Sequence, residues 1–408
     1  MNWNPTWICP ANDLGDPAAV FGTSFVFEKK ITHANLTITA MGVYEAKLNG
    51  RRVGQFVMAP GWTSYHKRLQ YQEYDITDLL TNGKNEIEVT VGKGWYRSPL
   101  PGWLGCAYQD ELRSRPCGLA AQITLTFEDG SSKILSTNES WKVSDGPVRF
   151  SEIYDGEIYD AAKTPSLDQS VSIFDGPTDT LILQQGEEVC EHERLAVKKI
   201  FVTPNGETVL DFGQNMTGYV ELFVNAKAGD CVDLSFAEVM DKEGNFYTEN
   251  YRSAKAQYHY ICKDGIQTWH PSLTFYGFRY IRINDFPGGV DCVKPENFTA
   301  IAVHSNMKRT GFLSSSNTLL NQLFSNIIWG QKGNFLDVPT DCPQRDERLG
   351  WTGDAQVFVR TACLNYDAEK FFTKWLADLA SDQHDDGYVG HVIPDLLQNP
   401  QASSAWGD

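Results

Sequence analysis

The spacing of apolar residues changes once along this chain, and that change limits the folds open to it. Up to about residue 305 the pattern is that of strands. Leu36-Thr37-Ile38-Thr39-Ala40 alternates, and Glu86-Ile87-Glu88-Val89-Thr90-Val91 is rich in β-branched residues. Ala121-Gln122-Ile123-Thr124-Leu125-Thr126-Phe127 runs into the turn Glu128-Asp129-Gly130, and Asn49-Gly50 and Asn82-Gly83 are further turn signals. Val220–Val224, Val232–Phe236 and Phe278–Ile283 continue in the same way. After Phe312 the period lengthens: Leu319, Leu320, Leu323, Phe324, Ile327 and Ile328 share one helical face, with Ser316 or Asn317 as N-cap. Phe371, Phe372, Trp375, Leu376 and Leu379 repeat that spacing, and a helix is expected over 354–364.

These segments predict two antiparallel β-sandwiches, at 1–168 (of jelly-roll type) and 189–306, then a helical unit at 312–408. The Asp-, Gly-, Pro- and Ser-rich stretch 165–188 is expected to link the two β units.

Between the first two helical patterns lies Asp337-Val338-Pro339-Thr340-Asp341-Cys342-Pro343-Gln344-Arg345-Asp346-Glu347-Arg348-Leu349-Gly350-Trp351-Thr352-Gly353-Asp354. It holds five acids, two arginines and a tryptophan in eighteen residues. Proline and glycine fix such a loop. Carboxylates held close together cannot all ionise at their usual pKa, so one can stay protonated beside charged neighbours. A protonated acid beside an aromatic wall suits cleavage of a glycosidic bond. Glu347 is the candidate acid, Trp351 the wall, and Asp341 and Asp354 hydroxyl acceptors. The competing account is a set of structural ion pairs on a solvated surface. Cys342 has no histidine near it in sequence and reads as a small buried loop residue.

The formal net charge of −17 and the lack of a basic run argue against nucleic acid as partner. No stretch of about 18 apolar residues is present, which argues against a membrane-spanning helix. The start, Met1-Asn2-Trp3-Asn4-Pro5, lacks a basic and an apolar signal region. The nine cysteines form no CxxC pair. Both point to a cytoplasmic protein with free thiols. A homo-oligomer is compatible with these features.

The loop Asp341–Asp354 resembles the signature loop of the bacterial α-L-rhamnosidases, glycoside hydrolase family 78. Gly61-Trp62-Thr63-Ser64-Tyr65, Gly92-Lys93-Gly94-Trp95-Tyr96 and Tyr154-Asp155-Gly156-Glu157-Ile158-Tyr159-Asp160 are similar to that family's N-terminal sandwich. Asp211-Phe212-Gly213-Gln214-Asn215 and Phe275-Tyr276-Gly277-Phe278-Arg279 are similar to its concanavalin-like sandwich. The resemblance implies an (α/α)6 catalytic barrel, inversion, no required cofactor and a rhamnose-containing glycoside or polysaccharide as substrate. It places Glu347 as general acid, and Asp341, Arg345, Asp346, Trp351 and Asp354 around the rhamnose. Ser404-Ala405-Trp406-Gly407-Asp408 resembles a later barrel segment, with Trp406 beside the sugar.

In the family the general base lies further along the barrel, and no residue here is assigned to it. The chain is therefore expected to hold only the first helices of the barrel, with the apolar face of Phe371, Phe372 and Trp375 uncovered. A calcium ion in the first sandwich, on Asp155, Glu157 and Asp160, is a further expectation; no other metal is expected. Trp62, Trp95, Tyr96 and Trp103 are either core packing or a sugar platform. The rival readings are a non-catalytic carbohydrate-binding fragment and a different (α/α)6 glycosidase, such as a trehalase-like enzyme.

Overall fold

The structure, a computed structural model, describes residues 3–103 and 106–397, with the side chains of 106–109 outside the description. Among the described residues, two large sheets and the small hairpin Val239–Met240/Phe246–Tyr247 precede a helical part. The first has 12 strands. It runs from Leu181–Leu183 through Leu69–Asp75, Ile31–Met41, Gly118–Phe127 and Trp7–Pro10. It continues through Gln169–Phe174, Lys142–Asp145 and Ala19–Phe27 to Gly83–Gly92 and Val43–Leu48. Period-two alternation decides the register: Leu36 faces Ile123 and Ile38 faces Ala121, and all four are buried. Asn49 and Gly50, both at positive φ, close the hairpin into Arg51–Arg52, as the Asn-Gly signal requires.

The second sheet has 10 strands around the long strand Thr208–Ala226, which pairs with Tyr276–Asp285 and with Phe298–Ser305. Two expectations about the join between the β units change here. Strands Val148–Glu152 and Gly156–Asp160, placed by sequence in the first unit, belong to the second sheet, where Gly156–Asp160 lies parallel to Gln257–Ile261. The stretch 165–188 is no free link either. Gln169–Phe174 pairs with Trp7–Pro10, and Leu181–Leu183 with Leu69–Asp75, both in the first sheet. Backbone pairing with strands far away in sequence fixes these segments, so their Asp-, Gly- and Pro-rich composition did not reveal them.

Helices α1 (Gly94–Arg97) and α2 (Cys106–Ser114) decorate the first sheet. The helical part holds α3 (Thr318–Asn334), α4 (Thr352–Asn365) and α5 (Glu369–Asp382). The Asn317 side chain caps α3, accepting from the Leu319 N–H at 2.9 Å.

The expected exposure of α5 does not occur. Phe371, Phe372 and Trp375 are buried. Phe371 stacks on Phe335 at 4.6 Å, and Trp375 Nε1 donates to the Ile393 carbonyl at 3.1 Å. The most exposed apolar residues of these helices lie instead on α3 and α4, where Leu319 is 77% exposed and Val357 82%; on α5 Leu376 is 51% exposed. Helix α5 is docked on the first β unit through a buried polar joint. Lys374 Nζ donates to Asp337 Oδ2 at 2.9 Å and to the Trp62 carbonyl, and Arg68 Nε meets Asp378 Oδ1 at 3.0 Å. Among the described residues no helix is long and apolar enough to cross a membrane.

Candidate active site

The loop between α3 and α4 is closed at its neck. The Asp341 N–H bonds the Leu349 carbonyl at 3.0 Å, and Asp341 Oδ1 accepts from the Leu349 N–H at 2.9 Å. Arg348 pins the middle. Its backbone is left-handed (φ 54°), which turns the side chain inward, and it is 1% exposed. Its Nη1 donates to the carbonyls of Ile153 at 2.7 Å and Phe275 at 2.8 Å, and Nη2 to that of Gln344 at 2.9 Å. One guanidinium thus fastens the loop to two carbonyls next to strands Val148–Glu152 and Tyr276–Asp285 of the second sheet. A Cβ on Gly277 would lie 2.8 Å from Pro343 Cγ, so the sheet presses on the loop with bare backbone.

Four of the expected residues converge. Arg345 bridges two acids: its Nη2 lies 3.0 Å from Asp341 Oδ2, and its Nε 2.8 Å from Glu347 Oε2. Arg252 approaches from the second β unit. Its Nη2 lies 2.7 Å from the same Glu347 oxygen, and its Nε 2.5 Å from Asp346 Oδ1. Ser253 Oγ donates to Asp346 Oδ2 at 2.5 Å, Tyr154 donates to the Glu347 carbonyl at 2.7 Å, and the Gly102 N–H to the Asp346 carbonyl at 3.1 Å. Charge-assisted bonds of this kind hold a carboxylate in one position.

Burial pushes the Asp341 carboxyl above its usual range, and the nearby Glu347 charge adds to this. Asp354, in the first turn of α4, is raised for the same two reasons. Asp341 and Asp354 share a cleft of about 280 Å³ with Thr340, Ala355 and Phe358. Trp351 is half-buried just before α4, its backbone bridged to Val392. Trp406 lies outside the described residues.

Cys342 is buried, and burial raises its thiol well above the usual range, so it is no thiolate nucleophile. Asp341, Cys342 and Glu347 come close enough together to suggest a metal site. The Arg345 guanidinium already bonds both carboxylates there and supplies the positive charge.

Three family models match in succession. Residues 29–192 match the alpha-L-rhamnosidase N-terminal domain, and 201–304 the bacterial alpha-L-rhamnosidase concanavalin-like domain. Residues 308–408 match the bacterial alpha-L-rhamnosidase 6 hairpin glycosidase domain. The chain belongs to the α-L-rhamnosidase family. It is 39% identical to an alpha-L-rhamnosidase of Formosa agariphila, over 94% of this chain and 42% of that protein. It is 40% identical to one of Streptomyces avermitilis, over 93% of this chain and 37% of that protein. The native α-L-rhamnosidase of Aspergillus terreus superposes with a TM-score of 0.92 at 39% identity, over 98% of this chain and 48% of that one. The Streptomyces avermitilis enzyme complexed with L-rhamnose gives 0.87 at 38% identity, over 96% and 38%. The chain thus spans less than half the length of the curated relatives it matches.

Two features of the chain depart from the sequence reading. The proposed calcium donors do not converge. Asp155 pairs with Lys255, Asp160 accepts from the Ala162 N–H, and Glu157 is buried, facing the Leu273 N–H at 3.3 Å. Glu157 and Asp160 are three apart on one strand and so point to opposite faces. Conversely, Arg252 and Ser253 were not foreseen. Their partners lie 95 and 93 residues further along the chain. The local string Asn250-Tyr251-Arg252-Ser253 carries no signal for that contact.

Proposed function

We propose that this protein removes terminal non-reducing α-L-rhamnose from rhamnosides by inverting hydrolysis, with Glu347 as general acid. The observation that carries this reading is the closed loop that fixes Glu347 between Arg345 and Arg252, beside Asp341. Asp341, Arg345, Asp346 and Asp354 bind the sugar hydroxyls, and Trp351 and Trp406 wall the ring. For Glu347 to protonate the glycosidic oxygen, the arriving substrate takes over at least one of its guanidinium partners. Arg252 is the more exposed of the two, at 45% of its side chain against 35% for Arg345. Inversion also requires a second carboxylate roughly 6.5–9.5 Å from the acid to activate water; no residue of the 408 is assigned to it.

The same proposal covers the architecture: two β-sandwiches, the first including Gln169–Phe174 and Leu181–Leu183 and the second including Val148–Glu152 and Gly156–Asp160, and from 312 onward the first helices of an (α/α)6 barrel. The substrate is a rhamnose-containing glycoside or polysaccharide, and no cofactor is required.

The test is release of p-nitrophenol from p-nitrophenyl α-L-rhamnoside, and of methanol from methyl α-L-rhamnoside, by the native full-length protein and its Glu347→Gln variant. The variant should lose roughly 10²–10⁴-fold on the methyl glycoside, whose leaving group needs protonation, and far less on the aryl one. Equal losses on both substrates would refute the acid role. Cleavage of other sugars but neither rhamnoside would refute the substrate.

A further inference from the structure

The loop Pro99-Leu100-Pro101-Gly102-Trp103 of the first β unit reaches the site, and the mechanism above leaves its tryptophan unused. Of the aromatic residues singled out in that unit, Trp62 and Trp95 are buried and stack on each other at 5.7 Å. Trp103 differs: 47% of it is exposed. It is carried there by Gly102, which bonds the Asp346 carbonyl and has no room for a side chain, since a Cβ would come within 2.7 Å of Asp346 Cβ. The Arg252 guanidinium lies over the Trp103 ring at 5.7 Å from its centroid, while its nitrogens hold Asp346 and Glu347. Arg252 does this from a left-handed backbone (φ 56°) that a non-glycine residue adopts only when its surroundings hold it there.

The contacts form a chain: Arg345 bonds Asp341 and Glu347, whose carboxylate oxygens lie within 4.8 Å of each other, and Arg252 joins Glu347 to Trp103. The sugar-binding acids Asp341 and Asp354 share their cleft at one end of it, and Trp103 does not line that cleft. A general acid protonates the oxygen that joins sugar to leaving group, so it sits between the two. What lies beyond the acid, away from the sugar cleft, faces the leaving group.

We propose that Trp103, backed by Arg252, is the leaving-group platform of this enzyme and selects rhamnosides whose aglycone offers a flat apolar face, an aromatic ring or the C–H face of a hexose. The inference rests on the Glu347 reading. The exposed indole supplies the stacking surface, and Arg252 ties it to the loop through Asp346, a bond that does not depend on the one to Glu347. A first β unit that closes one end of the site also accounts for a proline-bracketed loop crossing onto a helical domain.

The test compares Trp103→Ala and Trp103→Phe with the native full-length protein on three substrates: p-nitrophenyl α-L-rhamnoside, a rhamnosyl-glucose disaccharide and methyl α-L-rhamnoside. Inhibition by free L-rhamnose is measured alongside. Trp103→Ala should lower kcat/KM about 3–10-fold on one or both of the first two. It should leave methyl rhamnoside turnover and rhamnose inhibition unchanged, and Trp103→Phe should restore most of the loss. The arm that falls further names the aglycone, aryl or hexose. Unchanged kcat/KM on both bulky substrates overturns the proposal, as does an equal fall on methyl rhamnoside or a changed rhamnose inhibition constant. Failure of the acid reading shows separately, in Glu347→Gln on methyl rhamnoside.

Discussion

Removing the Lys374 ammonium should uncouple the helical part from the first β unit. Lys374 and Asp337 have side chains 1% and 2% exposed, with 2.9 Å between Nζ and Oδ2. The ammonium also donates to the Asp337 carbonyl at 3.0 Å and to the Trp62 carbonyl. Asp337 Oδ2 in turn accepts from the Trp62 N–H. Lys374→Met keeps the aliphatic volume, deletes three charge-assisted bonds, and strands a carboxylate with a backbone N–H for company. Breaking a buried pair from one side costs about 3–5 kcal/mol, because the remaining charge stays dehydrated. Lys374→Met/Asp337→Asn removes that stranded charge, so about 1–2 kcal/mol of the loss should return. Urea unfolding followed by tryptophan fluorescence gives both numbers from the midpoint and slope. A loss below about 1 kcal/mol, or a double variant no more stable than the single one, would show that water reaches this joint and the reasoning fails.

Two more outcomes are expected. Burial raises the Glu157 carboxyl from 4.5 to about 8, so its contribution to stability is complete below pH 4.5 and is lost as pH rises through about 8. Glu157→Gln should flatten the fall of the thermal midpoint across that window, leaving the smaller same-sign contributions of Glu152, raised to about 7, and Asp378, raised to about 6; a slope as steep as before contradicts this. Gly102→Ala places a methyl group against Asp346 and Ser253, and should cut kcat/KM at least tenfold on every rhamnoside while leaving the urea midpoint nearly unchanged; full activity would mean that the loop yields.

The legible parts of this protein are those governed by local rules. Alternation at Leu36–Ala40 and Ala121–Phe127 gave paired strands, Asn49-Gly50 gave the hairpin, and Asn317 gave the cap of α3. The contents of the signature loop were legible as well, because its acids, arginines and prolines are contiguous; Asp341, Arg345 and Glu347 meet directly, and Asp346 joins them through Arg252. The misreadings lie where a partner far along the chain decides. The parallel pairing of Gly156–Asp160 with Gln257–Ile261 depends on an edge about a hundred residues away. The burial of Phe371 and Trp375 was missed over a shorter range: α5 gains it from Phe335 and from Ile393, 18 residues from Trp375, and neither lies on α5 itself.

The sequence by itself determined the regular strands, the helices, the Asn-Gly hairpin turn and the chemical contents of the loop, since backbone sterics and side-chain spacing act over a few residues; the strands within 165–188 escaped it. Only the tertiary structure decided that Arg252 from one β unit would pair with Glu347 and lie over Trp103 from the other, and that Asp155 would pair with Lys255. Charge pairing and close approach depend on distance in space, which local sequence does not encode when the partners lie a hundred residues apart.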